Sequence, residues 1–417
     1  MSLAIVNATL DGERVGMRTD HGRIVGLGPG IQPREGDEVI DADGMAIVPG
    51  LVNGHTHAAM TLFRGHGDDL PLMRWLQEVI WPVEARIDED DVYWGTRLAC
   101  LEMIRTGTVR FWDMYWHPAG TVRAVEDAGI RATVSAPLVD MGDAASGDGI
   151  PQVAERSLEE IGEPRPHITP ALGPHAIYTV SEGALRWIGE ASAERDLPIN
   201  IHLSETEDEV VRCVADHGVR PAEYLDRVGA LGPRTVLAHG VWLDESELAL
   251  VAERGATVVT NPVANLKLAV GRVFPYRAMR RHAIPVGLGT DGAGSNNSLD
   301  LLQDLKVLAL LQKNEARDPA VLPADEAWRI ATGGAAPLLG ASGVIAESEP
   351  ADLLLVRTDV PELAVGEFTA DLVYAASGSV VDTAMVNGRV LMRGGVVEGS
   401  DEVIAKARER CVRLGLD

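Results

Sequence analysis

Lysine is nearly missing from this chain: of 37 cationic residues only Lys267, Lys306, Lys313 and Lys406 are lysines. Against these cations stand 62 carboxylates, leaving a formal net charge of −25. Such a surface repels nucleic acid and anionic lipid, so neither is expected as a partner. Cysteine is just as scarce. Cys100, Cys213 and Cys411 are odd in number, scattered and without CxxC spacing, which argues against a disulfide framework and against a thiolate zinc site. No apolar run approaches the roughly 18 residues of a membrane span. The first residues, Met1-Ser-Leu-Ala-Ile-Val-Asn7, carry no basic lead ahead of their apolar run, so a secretory leader is not expected. A cytoplasmic location is the expectation that follows.

What remains is a globular composition, with 46% apolar residues over 417 positions. That length favours one large domain with an accessory unit. Short apolar runs at Leu3–Asn7, Arg14–Arg18, Arg23–Leu27 and Glu38–Ile40 are divided by turn residues, as in a small antiparallel sheet. From about Met45 the pattern changes to short strands alternating with helical periods. Eight strands are predicted: Ala46–Val52, Thr108–Met114, Arg131–Leu138, Ile168–Leu172, Ile199–Leu203, Val236–Ala238, Thr257–Thr260 and Pro285–Leu288. Helices are predicted at Asp88–Arg105, Ser181–Arg195, Asp244–Arg254 and Ser298–Gln312. Eight such units fit a TIM (β/α)8 barrel, typically roughly 250 residues long, better than an open sheet. Strand-like runs return at Asp352–Val356, Thr383–Val386 and Arg389–Met392, with Asn387-Gly388 as a hairpin signal. The expected fold is therefore an α/β barrel over residues 46–345. A small β-sandwich flanks it, built from residues 1–45 and 346–417 and ending in a C-terminal helix.

The polar residues of interest sit where the predicted strands end, which is the face that carries the chemistry of barrel enzymes. His55 and His57 follow the first strand, His202 and Glu205 end the fifth, His239 the sixth and Asp291 the eighth. Residues i and i+2 of a strand share a side, so His55 and His57 can both present a ring nitrogen inward. A lone HxH is a weak signal; its conjunction with further strand-end groups is not. Zinc and related ions take imidazole and carboxylate, and a catalytic site keeps one position for water. His202 and Asp291 supply the remaining nitrogen and oxygen. No lysine lies between His57 and His202 to bridge two metals as a carbamate, so one metal is expected. Glu205 stands three residues past His202, able to curl over the activated water and shuttle its proton. The plain alternative is that Glu205 opens a helix, as Asp208 and Glu209 are expected to do. His239 is placed to hydrogen-bond the attacking oxygen, or else is a buried histidine satisfied by backbone.

At these residues the chain resembles the amidohydrolase superfamily, and within it the methylthioadenosine/S-adenosylhomocysteine deaminases, relatives of the triazine hydrolases. The resemblance lies in Pro49-Gly-Leu-Val-Asn-Gly-His-Thr-His57 and onward to Gly65, Asp68–Leu76, Ile80-Trp-Pro-Val-Glu84 and Gly173-Pro-His-Ala176. It continues through Ile201-His-Leu-Ser-Glu205, Ala238-His-Gly240, Asn261-Pro262, Asn265-Leu-Lys-Leu268, Gly289-Thr-Asp291 to Ser298, and Ala351–Leu355. It implies metal ligation by His55, His57, His202 and Asp291, with one zinc ion per subunit (iron or manganese as alternatives). Catalysis by Glu205, His239 and Asp291 is implied, as is a nucleoside contacted by Glu84, His175, Glu205, Asp291, Trp75 and Arg156. It further implies a homodimer or homotetramer. The implied reaction is hydrolytic removal of the 6-amino group of methylthioadenosine, 5′-deoxyadenosine or adenosine, giving the inosine analogue and ammonia. Family members that accept S-adenosylhomocysteine carry two arginines for its carboxylate. Here Ala136 stands at the first position, and Arg156 lines up with the second across an extra stretch, Asp143–Ile150.

Two other readings compete. One is a deaminase or chlorohydrolase of another N-heterocycle: guanine, a pterin, cytosine or a triazine. The other is a metal-free binding or scaffold protein on the same fold. The acidic composition also suggests a halophilic host, in which salt screens the self-repulsion of the surface. Thermal melts between low and molar salt are then expected to show a rising midpoint, and a flat response would exclude a salt-adapted surface.

Overall fold

The computed structural model describes residues 2–143 and 149–416. Eight parallel strands form the barrel: Leu51–Thr56, Thr108–Met114, Arg131–Ser135, Ile168–Pro170, Ile199–Leu203, Thr235–His239, Thr257–Thr260 and Val286–Leu288. Neighbours pair in parallel register, and Leu172 bridges Ile199 to join the fourth strand to the fifth. The ring closes between the last strand and the first, where the Asp291 amide donates to the His55 carbonyl at 3.1 Å and the Thr290 amide to Asn53 Oδ1 at 3.1 Å. Strands buried on both faces read as near-continuous apolar runs, and these do. Helices Glu89–Arg105, Glu182–Arg195, Glu245–Arg254 and Leu301–Ala316 surround the ring. The first and third of these start at capping boxes, Asp88 with Asp91 and Asp244 with Glu247, which satisfy the orphan amides of the first turn.

Three expectations are corrected. The predicted strand Ala46–Val52 is two strands: Met45–Pro49 pairs with Leu353–Arg357 in the flanking sheet, and only Leu51–Thr56 enters the barrel. The break falls at Gly50, where a Cβ would lie 2.3 Å from Val109 Cγ1. The predicted strand Arg131–Leu138 stops at Ser135 and resumes as Pro137–Leu138, because Pro137 has no amide for a continuous ladder. The terminal sheet is mixed rather than antiparallel. Glu38–Asp41 lies parallel to Leu3–Leu10, as does Met45–Pro49.

That sheet has eight strands and draws on both ends of the chain. Its order runs Arg389–Met392, Val381–Val386, Leu353–Arg357, Met45–Pro49, Leu3–Leu10, Glu13–Asp20 and Arg23–Gly28, with Glu38–Asp41 beside Leu3–Leu10. Strand alternation explains how it serves two cores. Ile47, Leu353 and Leu355 face an inner core with Leu3, Ile5, Met17 and Ile24, while Val48, Leu354 and Val356 pack toward the barrel. Asn387 (φ 52°) and Gly388 (φ 72°) form the two-residue turn between the last two strands. The C-terminal helix Ser400–Leu414 packs on Glu89–Arg105, with Arg413 bonded to Asp91. Among the described residues no helix is long and apolar enough to cross a membrane.

Barrel and sheet are tied by Arg131, whose guanidinium meets Asp352 at 2.7 and 3.2 Å while Asp352 also accepts from the Asn387 amide. Both side chains are largely buried. Asp352→Ala leaves the Arg131 charge uncompensated and is expected to cost about 3 kcal/mol. Replacing both partners by apolar residues is expected to recover most of the loss in melting temperature, because no orphan charge then remains.

Candidate active site

The barrel directs its strand ends to one point. His55 Nε2 stands 3.1 Å from His202 Nε2, and His202 Nε2 stands 3.2 Å from His57 Nε2. Asp291 Oδ1 lies 3.2 Å from His57 Nε2 and 3.7 Å from His55 Nε2. His239 is near, its donor atom within 4.8 Å of those of His55, His202 and Asp291. The ends of the first, fifth, sixth and eighth strands thus bring His55, His57, His202, His239 and Asp291 together.

The far nitrogen of each imidazole is already engaged. His55 Nδ1 faces Asn200 Oδ1 at 3.3 Å, His57 Nδ1 faces the Met114 carbonyl at 2.7 Å, and His202 Nδ1 faces the His175 carbonyl at 2.7 Å. Acceptors at Nδ1 fix the tautomer with its proton there and leave Nε2 as a lone pair. Burial and the neighbouring imidazoles hold His55 and His202 well below the ordinary histidine range, so both are neutral. Two lone pairs 3.1 Å apart repel, and only a cation between them makes the arrangement favourable. Burial also opposes a charge on His57, but the Asp291 hydrogen bond and charge outweigh it and push that imidazole up to about 9. A divalent cation entering here therefore displaces a proton. The donors are three imidazoles and a carboxylate, which fits a metal-binding site for zinc-like ions.

Above this cluster the backbone is strained in a useful way. Ser204 (φ 53°), His239 (φ 74°) and Asp291 (φ 60°) occupy the left-handed region that non-glycine residues avoid. The Ser204 turn swings Glu205 back over the cluster, with Oε1 3.9 Å from His239 Nδ1. Burial raises the Glu205 carboxyl above its usual range, which suits a group that must both take and return a proton. Glu209 was expected to be an ordinary first-turn carboxylate, and the structure corrects this. It is buried and accepts from the Ser204 amide at 2.8 Å and the Glu205 amide at 2.9 Å, fixing the turn that carries Glu205. Burial pushes Glu209 itself up to about 7. His239 is oriented by Asn265 Oδ1, 2.8 Å from Nδ1. Ser295 donates to Asp291 Oδ2 at 2.6 Å, leaving Oδ1 toward the histidines.

The cluster forms the floor of a cavity of about 820 Å³. Its lining contains Trp75, Glu84, Arg156, His175, Glu205 and Asp291, the residues assigned to substrate, together with Ala136. Trp75 is buried, and its indole N–H donates to the His66 carbonyl at 3.2 Å. Glu84 is desolvated, which raises its carboxyl, with Tyr115 and Trp116 opposing the shift. The buried Tyr115 hydroxyl lines the same wall beside the Glu84 carboxyl, whose charged form it favours. His175 is pushed down to about 4 by burial and holds Thr179 Oγ1 at 3.0 Å, so it is a neutral polar wall. Arg156 is exposed at the outer end. Residues 144–148 of the extra stretch lie outside the described residues.

Sequence reasoning assigned no role to Asn200, Glu209, Tyr115, Asn265 or Ser295. Asn200 carried a readable signal, since it precedes His202 by two on one strand and so shares its side. Glu209 and Ser295 act within their own turns, four residues from Glu205 and Asp291, whereas Asn265 and Tyr115 meet chain-distant groups.

The amidohydrolase family model matches residues 46–391. The chain is 49% identical over 383 residues to a 5′-deoxyadenosine deaminase of Methanoregula boonei, covering 91% of this chain and 87% of that one. It is 44% identical to a 5-methylthioadenosine/S-adenosylhomocysteine deaminase of Archaeoglobus fulgidus, covering 91% and 90%. The crystal structure of an adenosine deaminase from Xanthomonas campestris with bound zinc superposes with a TM-score of 0.93 at 33% identity, covering 100% of this chain and 99% of that one.

Asn200→Ala removes the acceptor that fixes the His55 tautomer. It is expected to weaken metal affinity by about 10- to 100-fold, read by competition with a chelator.

Proposed function

The chain belongs to the amidohydrolase family, and from that premise we propose that it hydrolyses the 6-amino group of a 5′-modified adenosine, with one zinc ion per subunit. The observation that carries this reading is the junction of two features in one cavity: the cation-demanding cluster under Glu205, and the desolvated Glu84 in the wall. The first suits hydrolysis and the second suits a substrate with adjacent hydroxyls.

His55, His57, His202 and Asp291 would hold the ion, their tips being linked by contacts of 3.1 to 3.7 Å. His239 belongs to the same cluster, but its Nδ1 is engaged by Asn265 Oδ1, and it is assigned to the attacking oxygen instead. The chemistry zinc supplies when bound is Lewis acidity, which brings the pKa of water toward about 7. Glu205 takes the proton of the attacking water and delivers it to N1 of the purine. His239 hydrogen-bonds the attacking oxygen as it adds to C6, and Asp291, steadied by Ser295, orients it. Glu205 then carries the proton of the added hydroxyl to the amino nitrogen, so that C6=O forms as the C6–N bond breaks and ammonia leaves. Glu84 accepts from the ribose hydroxyls, His175 contacts the sugar, and Trp75 forms the wall beside the base.

Ala136 brings no charge to the cavity, and Arg156 sits exposed at its outer end. Both favour an uncharged 5′ group, as in 5′-deoxyadenosine or methylthioadenosine, over the carboxylate of S-adenosylhomocysteine. The name of the Methanoregula boonei relative gives 5′-deoxyadenosine, while that of the Archaeoglobus fulgidus relative gives both methylthioadenosine and S-adenosylhomocysteine.

Steady-state kcat/KM across 5′-deoxyadenosine, methylthioadenosine, adenosine and S-adenosylhomocysteine is expected to fall most for the last. Glu205→Gln is expected to lower kcat by about 10³-fold with metal content unchanged. Release of no ammonia from any of the four would overturn the nucleoside reading and leave the metal cluster standing.

A further inference from the structure

The wall that carries Trp75 and Glu84 is not part of the barrel. It is built from two short helices, Leu72–Trp75 and Trp81–Glu84, joined by the wide turn Leu76–Ile80. The segment leaves the barrel through Gly65 (φ 74°), Gly67 (φ 75°) and Asp69 (φ 67°), three left-handed residues within five positions. Such a stretch defines no direction by itself, so something else must set where the wall stands.

Asp68, in the middle of that stretch, is held from two other barrel loops. Lys267 Nζ donates to its Oδ1 at 2.6 Å, and Asn297 Nδ2 donates to its Oδ2 at 3.0 Å. Lys267 also donates to the Gly294 carbonyl at 3.2 Å and to Asn297 Oδ1. Arg64, just before the glycines, donates to the Asn297 carbonyl. The lysine hydrogen bond holds the Asp68 carboxyl below the usual carboxylate range. Three strand-end loops thus meet at one carboxylate.

Both holding loops lead to the metal cluster. Lys267 ends the helix Pro262–Lys267, whose Asn265 orients His239. Asn297 caps the helix Ala293–Asn296, whose Ser295 holds Asp291. The Trp75 indole lies against that second helix so closely that a Cβ on Gly294 would be 3.0 Å from Trp75 Cζ2. The wall is pressed onto the loop of a metal ligand and pinned there.

We propose that Lys267 and Asp68 form a latch that fixes the Trp75–Glu84 wall against the loops after the seventh and eighth strands. Lys267 is therefore a positioning residue for the nucleoside. It touches neither the ion nor the reacting carbon, and it acts through Trp75 and Glu84. In a chain with four lysines, this one supplies three donors that converge from a compact ammonium, which suits a joint among a carboxylate, a carbonyl and an amide oxygen.

The kinetic part of this proposal rests on the nucleoside reading; the structural part does not, and the experiment separates them. The full-length zinc-loaded protein is compared with Lys267→Met, Asp68→Asn, the double variant, and Lys267→Arg. Trypsin cleavage after Arg74, which is exposed on the wall, is expected to accelerate about tenfold in Lys267→Met and Asp68→Asn, because opening of the segment governs access. With substrate, KM is expected to rise about tenfold while kcat stays within about threefold and zinc content is unchanged, the pattern of lost binding rather than lost chemistry. The double variant is expected to be no worse than either single one, since both break the same joint. Lys267→Arg is expected to recover part of the protease protection, because charge and reach persist. Unaltered cleavage and KM in Lys267→Met would overturn the latch. So would a loss of zinc in step with activity, which would make Lys267 a support of the metal loops instead. If no adenosine is deaminated at all, the nucleoside reading falls and the protease comparison still decides the latch.

Discussion

Two neutral imidazoles facing each other, lone pair to lone pair at 3.1 Å, are the constraint around which this protein is organised. Water cannot relieve that repulsion at such a distance, and the Nδ1 partners prevent either ring from bringing a proton to it. The barrel supplies the rigidity that forces the contact: His55 and His202 lie on the first and fifth strands, and Asp291 follows the eighth. Metal affinity here is stored in the fold as electrostatic tension between donors, and the ladder hydrogen bonds of a closed sheet hold that tension in place.

The same economy of means appears one layer out. Asn200, Asn265, Ser295 and Glu209 each fix the aim of one member of the cluster or of the turn beside it. Two of the aimed residues, His239 and Asp291, are themselves in the left-handed region, and Ser204, just before Glu205, is a third. Strain of that kind persists only where the surroundings over-determine it. The backbone amides of Ser204 and Glu205 bound to Glu209 are such a surrounding.

Much of this was legible in the sequence, for a physical reason. Strands Thr108–Met114, Ile199–Leu203 and Thr257–Thr260 are buried on both faces, so apolar runs mark them directly, and the chemistry lies where those runs stop. Convergence of His55, His57, His202 and Asp291 then followed from barrel geometry. What stayed hidden depended on contacts across the chain. Nothing local says that Met45–Pro49 pairs with Leu353–Arg357 rather than continuing into the barrel; a glycine lodged against Val109 decides it. Nor does Glu209 announce itself, because a carboxylate in a helix's first turn looks the same whether it faces water or two buried amides. Lys267 was visible as part of a motif, but its partner Asp68 stands on a loop from the opposite end of the barrel sequence.

The flanking sheet has a consequence in time. Its middle pairs Pro49 with Leu353, and its edge reaches Arg389–Met392. On a ribosome adding about 5–20 residues per second, the strand Met45–Pro49 waits on the order of tens of seconds before its neighbour exists. The barrel strands are synthesised within that interval, in the order in which they neighbour one another. The sheet is a clasp that shuts last, by pairings of high contact order that are slow to find. Until Leu353–Arg357 exists, Met45–Pro49 lacks the antiparallel partner it has in the finished sheet.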